Sequence, residues 1–169
     1  MGRRRRTGHC LLSQGEPGPR HPYLEKCTMK PFGPVQNGSQ CLFGLDYRSA
    51  MWRGNEENPF HTEVGYWIWD EASGEVLRGF VVPRGITVLA GGFAAGDDRS
   101  FTLSAEQNGT QYTIGENQCL AKNASTLSYA VTVRSDGDTW SYDETTMLRM
   151  NEFHEPFAHV DHNTLRRTA

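Results

Sequence analysis

The residues of this 169-residue chain best suited to bind a metal are its six histidines and four cysteines. Three of the histidines, His154, His159 and His162, fall close together near the C-terminus. His159 and His162 are three apart, and an odd spacing in an extended chain sends them to opposite faces. They share a zinc ion only if the segment turns, and no Cys or Glu spacing nearby completes a site. A single neutral imidazole at the mouth of an apolar enclosure suits another chemistry, axial ligation of haem iron. Met29, Met51, Met147 and Met150 lie in strand-like stretches and read as core filler rather than as axial ligands. The cysteines, Cys10, Cys27, Cys41 and Cys119, are widely spaced, with no C-x-x-C and no secretory leader. They read as free thiols of a reducing compartment, the cytoplasm. There is no G-x-S-x-G, H-E-x-x-H or P-loop, and the sequons at Asn37, Asn108 and Asn123 read as polar turns.

The elements that must position such a histidine read as strands. Gly65-Tyr66-Trp67-Ile68-Trp69-Asp70 and Val76-Leu77-Arg78-Gly79-Phe80-Val81-Val82 both alternate with period two around the polar break Glu71–Glu75, a β-hairpin. Gly65, Trp67 and Trp69 share one face, and Val64, Tyr66 and Ile68 the other. The stretch 41–52 alternates likewise, with Leu45, Tyr47, Ser49 and Met51 on one side. Thr126–Arg134 and Thr139–Met150 flank the hairpin turn Asp136-Gly137-Asp138. A strand over 22–29 is expected to stop at Lys30-Pro31-Phe32-Gly33-Pro34, because proline cannot donate to a ladder. Cys119-Leu120-Ala121 is a further short strand candidate, and the chain is expected to bend at Pro156 before a last strand.

Gly (18 residues) and aromatic side chains (11%) are plentiful, and no helical pattern stands out. The fold class expected is all-β: a single antiparallel up-and-down barrel of about ten strands, wide enough to hold a ligand. The domain spans residues 22–169. Residues 1–21, with Arg3-Arg4-Arg5-Arg6 followed by Gly, Ser and Pro, read as a solvated, disordered tail. A net charge of −3 gives no footprint for nucleic acid, and no apolar run is long enough for a membrane helix.

Three stretches together resemble the nitrobindin family, haem-binding barrels shaped like fatty-acid-binding proteins, and most closely its bacterial branch. They are Gly65–Asp70; Pro83-Arg84-Gly85 running into Val88-Leu89-Ala90-Gly91-Gly92; and Glu155-Pro156-Phe157-Ala158-His159 through Asn163-Thr164-Leu165. The resemblance implies a ten-stranded calycin-like barrel with ferric haem b at one open end, held by one C-terminal histidine. His159 is the matching residue and His162 the fallback. It further implies binding of nitric oxide and isomerisation of peroxynitrite to nitrate. The family's first-strand motif Gly-x-Trp-x-Gly-x-Gly has no counterpart here, and His159 precedes Leu165 by six residues where the family spacing is four. Without that strand the barrel has an open seam. The alternative expectation is a carrier of an apolar small molecule, without iron.

Overall fold

The computed structural model describes the backbone of residues 3–13 and 20–168, and side chains from Pro22 onward. Among the described residues, period-two alternation becomes eleven strands, joined by one short helix. The strands are β1 (Arg3–Ser13), β2 (Arg20–Asn37), β3 (Gln40–Arg53), β4 (His61–Asp70), β5 (Glu75–Val82), β6 (Ile86–Phe93), β7 (Ser100–Gln107), β8 (Thr113–Glu116), β9 (Ala124–Asp136), β10 (Thr139–Met150) and β11 (Phe157–Arg166). They close into a barrel in the order β1-β11-β10-β9-β7-β8-β6-β5-β4-β3-β2. The all-β barrel expected from the alternation is therefore the fold. One departure from simple up-and-down winding is β8, which pairs antiparallel with β6 and parallel with the end of β7.

Strand faces follow the alternation. Tyr47, Ser49 and Met51 of β3 and Glu63 and Trp67 of β4 are buried, whereas Val64 and Tyr66 are 45% and 52% exposed. Tight turns are set by local chemistry. Gly74 (φ 73°) closes the β4–β5 hairpin and Gly85 (φ 100°) the β5–β6 turn, both in the left-handed region that side chains avoid. Gly65 serves close approach instead: a Cβ there would lie 2.0 Å from the carbonyl oxygen of Gly79 on β5.

Three expectations are corrected. Pro31 and Pro34 do not end β2; the strand continues to Asn37, with a register shift between Phe32 and Val35 that takes up the missing donors. Cys119-Leu120-Ala121 is not a strand but part of helix α1 (Gln118–Asn123), because Asn117 caps it by accepting from the Leu120 N–H at 2.9 Å. Within residues 1–21, expected as a tail, Arg3–Ser13 form β1, which pairs with β2 on one side and β11 on the other. Both neighbours otherwise present an unpaired edge, and backbone pairing needs no apolar alternation. Residues 14–19 of that expected tail lie outside the described residues.

Candidate functional site: a histidine mouth and a polar belt

The inner face of β11 carries Phe157, His159, Asp161, Asn163 and Leu165 in turn, and the burial of all but His159 is nearly complete. His159 is partly buried, opposite Thr146 of β10. Burial pulls its imidazole below the ordinary range, partly opposed by the Glu144 carboxylate and reinforced by the nearby His61. A neutral ring is the form that donates an electron pair to a metal.

The three clustered histidines are not brought together. His162 is exposed on the outer face, its Nδ1 2.6 Å from Asp143 Oδ1, as the odd spacing from His159 dictates. His154 is exposed in the β10–β11 loop. The residue that joins His159 electrostatically is instead His61, the first residue of β4. Burial pulls His61 down, but Glu63, whose Oε2 lies 3.7 Å from its Nε2, outweighs burial and holds the imidazole above its usual value.

Below this mouth a charged belt crosses the barrel. Arg78 of β5, 7% exposed, donates from Nη2 to Glu63 (2.5 Å), from Nη1 to Glu144 (2.8 Å) and Tyr129, and from Nε to Tyr47 (3.2 Å). Its guanidinium lies 4.8 Å from the Trp67 ring centre and 4.5 Å from that of Phe80. Burial pushes the Glu63 carboxyl up, yet the Arg78 charge prevails and holds it down to about 2. A second network runs beside it. Tyr23 donates to Asp161 (2.6 Å) and lies 3.0 Å from the Tyr142 hydroxyl; Tyr142 (2.9 Å), Asn163 (2.6 Å) and Ser49 (2.6 Å) all donate to Glu25. Burial raises both acids, Asp161 to about 7.

The raised Asp161 fixes a pH dependence. The folded chain keeps this proton above the ordinary aspartate range, where the unfolded chain has lost it. The group's stabilising contribution is therefore full below about pH 4 and lost as pH rises through about 7. Urea unfolding midpoints are expected to decline from pH 5 to pH 8, and Asp161→Asn to flatten that decline by about 1–3 kcal/mol at pH 8. A wild-type slope retained in the variant would contradict the assignment.

None of the belt residues is singled out by motif. Their signal is a charge at an inward position of an alternating strand: Glu63 before Trp67, and Arg78 between Val76 and Phe80.

A closed, almost wholly antiparallel all-β barrel of this kind is calycin-like. The chain matches the model of the THAP4-like, heme-binding beta-barrel domain over residues 13–167, and it belongs to that family. The nitrobindin resemblance read from the three stretches is thereby upheld. Among solved structures the chain is similar to Rv2717c from M. tuberculosis, with 20% identity and a TM-score of 0.70 over 100% of this chain and 92% of that one. That likeness concerns the fold. No curated protein matches the sequence.

The donor chemistry fits haem iron: His159 is an inner-face imidazole, desolvated and neutral. His159 would hold such a group, with His61 and Glu144 as its electrostatic neighbours.

Proposed function

We propose that this chain binds ferric haem b through His159 and uses it to bind nitric oxide and isomerise peroxynitrite to nitrate. The observation that carries the reading is the neutral, inward-facing imidazole of His159 in a member of a haem-binding barrel family. Haem, when bound, supplies a Lewis-acidic iron that polarises a peroxynitrite oxygen. The chain's own residues do the rest. His159 would supply the nitrogen that holds the iron. Glu63 raises the His61 imidazole above its ordinary value, which favours the cationic ring that would attract an anionic substrate. Arg78 pairs with both Glu63 and Glu144, which fixes the two carboxylates inside the barrel. The partner is a small molecule; among the described residues no helix is long and apolar enough to cross a membrane.

The test is stopped-flow decay of peroxynitrite with haem-loaded protein. Accelerated decay with nitrate as the product is expected, and nitric oxide should shift the Soret band. Decay no faster than with haem-free protein would overturn the catalytic reading while leaving haem binding open to its own test.

A further inference from the structure

The outer wall of the barrel carries an apolar patch across β4, β5 and β6. Successive outward positions of β4 and β5 pair in register as Val64 with Val81, Tyr66 with Gly79 and Ile68 with Leu77. Val64, Tyr66 and Val81 are half-exposed, and Leu89 of β6, paired with Gly79, is 39% exposed. The central row turns polar at both ends, with Asp46 of β3 beside Tyr66 and Thr113 of β8 beside Leu89. Apolar side chains exposed singly mean little, but a contiguous patch with a polar rim marks an interaction surface.

The patch holds a knob and a hole side by side. Tyr66 is the knob, its ring braced edge-to-face by Phe32 with centres 5.9 Å apart. Gly79, its partner across the strand pair, is the hole. A Cβ at Gly79 would meet only the Leu89 side chain, at an ordinary 3.7 Å, so the position is open and the barrel's own packing does not require glycine there. Gly65 and Gly44 differ, since a Cβ on them would come within 2.0 Å and 2.5 Å of backbone oxygens on the neighbouring strands. Glycine inside a strand costs backbone entropy and leaves nothing to pack. Where the fold itself does not demand it, it is a mark of close approach by another molecule.

We infer that this wall is the contact face of a homodimer, in which Tyr66 of each copy fills the Gly79 dip of the other. A two-fold axis normal to the wall, midway between Tyr66 and Gly79, makes both contacts at once, as an isologous interface requires. The same rotation lays Val64 on the partner's Leu77 and Val81 on the partner's Ile68, apolar on apolar. This self-complementarity is what singles out a second copy as the occupant. Barrel curvature limits the contact to about three strands, roughly 15 Å across. The dimer therefore falls at the small, transient end of interfaces, below about 1,200 Å² in total. It involves neither His159 nor haem.

Sedimentation equilibrium of the full chain, with and without haem, tests the inference. The expected result is a reversible monomer–dimer equilibrium with a dissociation constant of about 10–300 μM. Tyr66→Ser is expected to weaken it at least about tenfold. Gly79→Val is the decisive variant. It adds apolar surface at an open strand position that suits a β-branched side chain, so the urea midpoint of the dilute chain is expected at or above wild type. Filling the dip is nevertheless expected to weaken dimerisation at least about tenfold, where a merely sticky patch would associate more tightly. Leu24→Ser removes an exposed apolar residue whose β3 partner, Trp52, lies beyond the rows of the patch, and is expected to change the constant by less than about twofold. A wild-type chain that is still monomeric at about 1 mM overturns the inference. Association unchanged or tightened in Gly79→Val overturns it too, as does a loss in Leu24→Ser equal to that in Tyr66→Ser.

Discussion

Replacing Arg78 with methionine is expected to lower stability by about 3–5 kcal/mol at pH 7, measured by urea unfolding. Methionine fills much of the same space, so the loss is not chiefly a cavity. It arises because the Glu63 and Glu144 carboxyl groups lose the cation that offsets their burial. Tyr47 also loses the donor to its hydroxyl, and Tyr129 one of its partners. The origin can be separated from packing. Adding Glu63→Gln and Glu144→Gln to Arg78→Met is expected to restore most of the loss, since a belt without charges has no uncompensated ion. A triple variant as unstable as the single one would mean that Arg78 acts through its contacts with Trp67 and Phe80.

Replacing His159 with alanine is expected to weaken haem binding by at least about 100-fold, a loss at the upper end of what removing a ligand's supporting partner causes. Stability should change by less than about 1 kcal/mol, because His159 is only partly buried at the barrel's mouth. The two effects are thus expected to part company: affinity falls while the urea midpoint holds. His162→Ala offers the contrast. That ring lies on the outer face against Asp143, so haem affinity is expected to stay within about twofold of wild type. A loss in His162→Ala equal to that in His159→Ala would place the ligand outside the barrel's inner face.

Strands were legible wherever one face is buried and the other wet. Trp67 against Tyr66, Tyr47 against Asp46, and Val131 against Ala130 alternate because each pair straddles the barrel wall. The turns at Asp136-Gly137 and Pro83-Arg84-Gly85 carry their own backbone chemistry. Arg3–Ser13 was not legible, because what draws β1 into the seam is the pair of edges offered by β2 and β11, a property of the closed barrel and not of the segment. Helix α1 was hidden in its six residues, too few for any period to emerge. At the site, His159 was singled out through resemblance, and which face of β11 turns inward came only from the structure. The belt and the network beside it were missed because Glu25, Glu63, Arg78 and Asp161 lie on four separate strands, and only closure of the barrel brings their charges together.

The central claim is that His159 holds haem at the mouth of this barrel, and optical titration of the purified chain with hemin tests it most directly. The expected result is a Soret band that saturates at about one haem per chain, is lost or shifted in His159→Ala, and is unchanged in His162→Ala. No saturable Soret band in the wild-type chain, or an identical band in His159→Ala, would contradict it.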